Sequence, residues 1–476
     1  MNSRKQFGST RNFSQSQCDR RSFLRGLGQA AMAMGVGSAG ALSFANQAAA
    51  ATVGDYKALV CVFLYGGLDT HDVLIPNDVA GYEQWAAIRQ ELLTTQGQAR
   101  ARSSLLPINP GATATLNGSL GFAPEWSGLH GLYQSGRLAV AANVGPLIQP
   151  ATRSDFINES VPFPPRLFSH NDQQSVWQAS APEGAQFGWG GLFADAVINS
   201  GANQQAEFTT ITSLGNELFL TGQLARPFQV NDEGAAQFDL IFDDDVRPDS
   251  LVTLLNQHFA SVTADTSNLL VSDMASASAG ALSSNAAYNS ATAGVAALST
   301  PFPASPLGAQ LKAVAQAISA RDQLQAQRQI FFVGIGGFDT HSAQATSLPQ
   351  RLTQIDGAVT AFYNAMVAQG LGNKVTLFTA SDFGRTLAVN GDGTDHGWGS
   401  HQIVVGDAVN GGLVHGYVPP SVLEHDYDAG GGRLIPTLSV EQYAAPLGRW
   451  FGLDNSEVLA ALPNRANFLD EPMLML

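Results

Sequence analysis

Cysteine is almost missing from this chain, with two residues in 476, Cys18 and Cys61. One lies near the N-terminus and the other in an apolar run, so neither a disulfide framework nor a Cys-rich zinc site can be built. Charge is scarce too, at 13% of residues, and the balance is acidic, with a formal net charge of −15. No basic stretch interleaved with aromatics occurs, which excludes a phosphate-backbone partner such as nucleic acid. Beyond residue 50 no segment is long and apolar enough to span a bilayer, and no internal repeat is visible. What remains is 45% hydrophobic residues, ample for a sizeable core in one large domain carrying an insertion.

Residues 1–50 read as a leader. Arg20-Arg21-Ser22-Phe23-Leu24 is a twin-arginine pattern, residues 26–45 form an uncharged, Ala/Gly-rich, weakly apolar run, and Ala48-Ala49-Ala50 offers a small-residue cleavage site. The expectation is a Tat signal peptide, with the Tat translocase as partner during export and the periplasm or extracellular space as destination. A membrane anchor of about 20 residues is the alternative, and the Gly/Ala content argues against it. Tat cargo crosses folded, which suits a protein that carries a cofactor. Without 1–50, 18 basic side chains face 38 acidic ones, a net charge of −20.

The rest, 51–476, reads as α/β. KALVCVFLY at 57–65 and LAVAANVG at 138–145 are near-continuous apolar runs, the pattern of strands buried on both faces. Helices are expected over 81–93, 124–137, 307–328 and 352–369, the last with Leu352, Ile355, Val359, Phe362 and Met366 on one face. Strands follow at IFFVGIGG and at 375–380, and helix alternating with strand is the signature of a parallel sheet with right-handed crossovers. Residues 190–300 carry little pattern and read as a helical or irregular cap. Within them the run Phe242-Asp243-Asp244-Asp245 reads as a solvated loop.

Three strand ends each deliver acids or imidazoles. The first strand ends in Gly66-Gly67-Leu68-Asp69; a later one in Phe338-Asp339-Thr340-His341; the 375–380 strand runs into Asp382, Gly384 and Arg385, with Asp395, His396 and His401 behind. Ligands of open α/β sheets bind at the carboxyl ends of the strands, so parallel strands would bring all three to one edge. Mixed carboxylate and imidazole ligands suit zinc, manganese or iron, and this many fit a two-metal site that clamps the oxygens of a phosphoryl transfer. Ser169, ahead of His170-Asn171-Asp172 at a helix start, is either a simple cap or a nucleophile favoured by the free N–H groups there. His170 reads equally as support for Ser169 or as a surface residue, and His71, His130 and His415 read as structural.

GGLDTHD, SHNDQQSVW, GGFDTH, TASDFGRT and GTDHGWGSHQIVVGDAVNGG together resemble the exported bacterial family called domain of unknown function 1501, over essentially the whole chain after the leader. That family looks like a branch of the alkaline phosphatase superfamily, which also holds sulfatases. The resemblance implies a three-layer sandwich with a mostly parallel central sheet and one or two divalent ions, zinc or manganese, at its C-terminal edge. It implies Asp69, Asp339, His341 and Asp382 as metal ligands, completed by His396 or His401, with Asp395-His396 in place of the missing imidazole and Ser169 as nucleophile. Arg385 or Arg166 would steady the anion as a planar bidentate donor. Two positions depart from the superfamily pattern. The Asp-x-x-x-His pair is here Asp339-x-His341, and Phe383 stands where a histidine usually follows the late aspartate. No Cys-x-Pro-x-Arg or Ser-x-Pro-x-Arg motif occurs, so the sulfatase nucleophile is absent. The expected function is a metal-dependent hydrolase of a phosphate, less readily sulfate, ester. The alternative is an exported binding or assembly protein that keeps the fold and at most a degenerate metal site.

Overall fold

Seven consecutive residues alternate between two oily layers at the centre of the molecule. Along Lys57–Leu64 (β1), Ala58, Val60, Val62 and Leu64 join one core while Leu59, Cys61 and Phe63 join the other. Period-two alternation with both faces apolar requires cover on each side. The computed structural model supplies it as three layers. It describes residues 55–476 apart from 112–113, 116–117, 216, 237–252, 255–256, 259–267, 469–471 and 473, with only the backbone at 114–115. The leader at 1–50 and the run at 242–245 lie outside the described residues.

The sheet contains, in chain order, β1, Leu138–Gly145 (β2), Thr210–Thr212 (β3), Phe228–Asn231 (β4), Arg328–Ile335 (β5), Val375–Ser381 (β6), Ser400–Val405 (β7) and Val414–Tyr417 (β8). Their spatial order is β8-β2-β7-β6-β1-β5-β3-β4. All pair in parallel except β7, which is antiparallel to both β2 and β6. On one face pack Pro306–Ser319 and Gln344–Ala368; on the other, Trp189–Asn199 and Val440–Phe451. The sheet is thus mixed but mostly parallel and flanked by helices. Within 190–300, expected as a cap, the described residues supply β3 and β4 at the sheet's edge and one 25-residue helix, Leu269–Ala293. Short strands carry too little alternation to be read from sequence.

Register aligns the ends of the central strands. Leu64 at the end of β1 pairs with Ile335 of β5 on one side and Ser381 of β6 on the other. Three chain segments therefore leave the sheet in one row. Gly66 and Gly67 make the exit from β1 possible, with φ of +112° and +87°. A Cβ on Gly66 would stand 2.4 Å from the Asp339 nitrogen, and one on Gly67 would stand 2.4 Å from the Phe383 ring.

Gly67→Ala combines a left-handed backbone with a clash against a fully buried ring, so it should destabilise the protein by roughly 3 kcal/mol. Urea unfolding of the variant checks this; an unchanged midpoint would show that the row of strand ends tolerates a side chain there.

Candidate metal centre

At this row the three segments meet, but not in the way their order in the chain suggests. His170, Asp339 and His396 bring one ligand atom each to within 4.8 Å of the others. His396 comes from the short strand Thr394–His396, which pairs with Arg385–Val389 as a two-stranded arm after β6. Its Nδ1 donates to the Phe168 carbonyl at 2.8 Å, which leaves Nε2 as a lone pair facing Asp339 at 3.1 Å. Burial holds His396 below the ordinary histidine range, against the opposing pull of that carbonyl. His170 opens the helix His170–Ala179 and gives its Nδ1 to Asp382 Oδ2 at 2.6 Å, with Nε2 3.4 Å from Asp339 Oδ2. The bond to Asp382 raises its pKa, with burial working the other way. Phe383, fully buried, lies under both rings at 4.8 and 4.7 Å between centroids.

Two imidazoles whose far nitrogens are tied to a carbonyl and a carboxylate, with near nitrogens converging on a second carboxylate, are the arrangement that fixes the tautomer for metal ligation. The donor set of two histidines and one aspartate fits a zinc-like ion. A further observation agrees: Asp382 Oδ1 is buried without a hydrogen-bond partner, and an unpaired buried carboxylate oxygen is costly unless a cation faces it. His341 adds a half-exposed imidazole, its Nε2 2.9 Å from that of His396 and 3.1 Å from Asp339 Oδ1. Asp395 stands farther out, receiving Asn390 Nδ2 at 2.6 Å and 3.5 Å from His341 Nδ1.

Two of the expected ligands sit elsewhere. Asp69 is buried in the grip of Arg89, whose Nη2 donates to Oδ1 at 3.0 Å, and of Gln344 Nε2 on Oδ2. Burial alone would raise this carboxyl, but the guanidinium outweighs it and the net shift is downward. His401 is buried in a separate place, accepting the Asn143 N–H at Nδ1. The bulge of β7 between Ser400 and Gln402 turns the register there. Arg385 is also committed: it donates to Asp339 Oδ1 at 2.8 Å, to the Gly66 carbonyl at 3.2 Å and to Thr394. It keeps Asp339 ionised, although burial of that carboxyl works against it. Arg166 is an exposed residue near Asp172 and Glu183.

Ser169 is the N-cap of its helix, yet its hydroxyl donates to Asp172 Oδ2 at 2.9 Å instead of accepting a backbone N–H. Phe168 and His170, on either side of it, both touch the cluster, which places Ser169 at its rim. Of the clustered residues, His170 carries the weakest sequence signal. Only its position beside Ser169 at a helix start points to it, and nothing in the pattern links it to Asp382, 212 positions away.

Because Asp69 answers Arg89 and not the cluster, Asp69→Asn should cost about 3–5 kcal/mol through the charge it leaves uncompensated, while folded protein keeps its metal affinity. A carboxyl with a lowered folded pKa contributes stability above its unfolded pKa and loses it as pH falls through the folded value. The wild type's advantage over the variant should therefore be full at pH 7 and shrink below the ordinary carboxylate range. Denaturation at several pH values together with metal titration checks both; loss of metal from folded Asp69→Asn would return this residue to the ligand set.

No curated protein matches the chain significantly. Among solved structures it is similar to the zinc complex of the C-terminal periplasmic domain of EcEptC from Escherichia coli. Identity is 10% and the TM-score 0.29, over 74% of this chain and 74% of that one. It is also similar to a Bacteroides thetaiotaomicron protein of a core genetic locus for glycosaminoglycan metabolism, at 9% identity and TM-score 0.33, over 85% of this chain and 74% of that one. At such scores the likenesses carry no argument. The family model described as "Protein of unknown function (DUF1501)" matches residues 56–462, and the chain belongs to that family.

Proposed function

We propose that this protein is an exported metal-dependent hydrolase with an alkaline phosphatase-like arrangement, acting on a phosphate ester and less readily on a sulfate ester. The observation that carries the reading is the convergence of His170, Asp339 and His396 at the carboxyl edge of the sheet, with both far imidazole nitrogens already committed. Zinc or manganese, as one ion, is the reading that this donor set supports. When bound, the ion would supply Lewis acidity to an ester oxygen. The remaining roles belong to the chain. Asp382 and the Phe168 carbonyl orient the two imidazoles, and Gln174 steadies Asp382 by donating to Oδ2 at 2.7 Å. Asp172 accepts the Ser169 hydroxyl and is placed to take its proton as that oxygen attacks. Export by the Tat pathway to the periplasm or beyond follows from the leader, and no helix among the described residues is long and apolar enough to cross a membrane.

Specific contacts favour the alternative, an exported binding or assembly protein. Asp69 is neutralised by Arg89, and the Arg385 fork is spent on Asp339, Gly66 and Thr394. Among the described residues that leaves one cluster instead of two, with Arg166, exposed beside Asp172 and Glu183, as the arginine left for an anion. A net charge of −20 after the leader also repels polyanions at long range.

Protein matured in its own periplasm and purified without chelator should carry about one transition ion per chain, lost in His396→Ala. Asp382→Asn should weaken metal binding about 10–100-fold. Ser169→Ala should retain the ion while turnover of an aryl phosphate falls by about 10³-fold or more. Metal-replete wild type that hydrolyses nothing in a panel of phosphate and sulfate esters would leave the binding reading standing, and a metal-free wild type would remove both forms of the metal centre.

A further inference from the structure

The turn at Gly430–Leu434 has a second side. Toward the metal centre, Arg433 donates to the His396 carbonyl at 2.8 Å. Away from it, Leu434 forms part of the wall of a cavity of about 470 Å³, which also contains His71 and His401. That volume falls within the range of about 300–1,000 Å³ typical of small-molecule sites. Neither histidine takes part in the metal cluster.

The hydrogen bonds define what the two imidazoles can offer. His401 accepts the Asn143 N–H at Nδ1, 2.9 Å away, so as a neutral ring it carries its proton on Nε2. That N–H meets no protein acceptor among the described residues. His71 donates Nε2–H to the Gly432 carbonyl at 3.2 Å, which leaves Nδ1 as an acceptor. Both rings are neutral at physiological pH: burial pulls His401 down to about 3, and burial together with Arg89 pulls His71 down to about 4. The pair thus presents one donor and one acceptor without charge, the complement of a hydroxyl group, which is both. Around them stand Leu74, Leu120, Leu434 and the Tyr417 ring. These surfaces suit the apolar face of a saturated ring. Asp78, at the rim, accepts Gly81 and Ser119 N–H groups at 2.8 and 3.3 Å and gives the mouth a negative sign, which disfavours an anion.

We infer that this cavity is a binding site for an uncharged hydroxylated ring of hexopyranose size, separate from the metal centre. The ring's hydroxyl would bridge His401 Nε2–H and His71 Nδ1 while its apolar face packs on Tyr417 and the leucines. A donor buried without a partner costs free energy, and this ligand removes that cost.

Calorimetric titration of the folded protein with glucose, galactose, N-acetylglucosamine and inositol, with glucuronate as the anionic control, tests the inference. At least one neutral ring should bind saturably, and glucuronate roughly tenfold more weakly or not at all. His401→Phe should weaken binding by roughly tenfold, the loss expected from one buried donor. His401→Gln, which can accept from Asn143 and still donate into the cavity, should restore most of it. Should His401→Phe not fold, Ala80→Trp serves instead: Ala80 is an exposed residue of the lining, and an indole there blocks the mouth without touching the core. Metal content should be unchanged in every variant. Absence of binding by all four neutral rings, equal binding of glucuronate, or full binding by Ala80→Trp would each overturn the assignment.

Discussion

A single buried guanidinium holds the strand ends together. Arg385 reaches the Gly66 carbonyl after β1, the Asp339 carboxylate after β5, and both the hydroxyl and carbonyl of Thr394 in the arm after β6. The planar fork of arginine can serve several acceptors at fixed angles, which an ammonium cannot do. Each of these acceptors belongs to a different excursion from the sheet, so their relative positions depend on this one cation. The steric demand of Gly66 and Gly67 complements it, because a Cβ on Gly66 would collide with the Phe338 and Asp339 backbone and one on Gly67 with the Phe383 ring.

Two carboxylates at neighbouring strand ends then meet opposite fates. Asp69 is sealed from water and answered by Arg89 and Gln344; Asp339 is answered by one arm of Arg385 and remains nearly half exposed among three imidazoles. The difference lies in burial. A carboxylate inside the protein needs a charge partner or hydrogen bonds to replace lost water, whereas one at the rim can share its charge with groups that exchange partners. Phe383, next to Asp382 in the chain, supports two imidazoles, His170 and His396, with its ring against both.

The Gly430–Leu434 turn links the His396 cluster to the cavity that holds His71 and His401. Asp428 organises it through Oδ1, accepting the N–H groups of Gly430 and Gly432 at 2.7 and 2.8 Å. The same short segment thereby orients the His396 backbone on one side and fixes the His71 tautomer through the Gly432 carbonyl on the other.

What the amino-acid sequence determined by itself is the class of fold and the edge of the sheet that matters. The apolar runs at β1, β2, β5 and β6 and the helical periods between them are local properties, set by which side chains must leave water on a given repeat. Parallel pairing with aligned ends then follows from crossover topology. Asp339 and His396 were legible for the same reason: each stands just past a strand or in the Gly/Asp-rich loop behind one. Tertiary structure alone decided the partners. Whether an aspartate at a strand end meets an amide or an imidazole depends on residues hundreds of positions away, as with Asp69 and Gln344 or His170 and Asp382. Spacing along the chain carries no trace of such pairs. His401 shows the same limit from the other direction, since one bulge in β7 sent it from the expected ligand set into a different cavity.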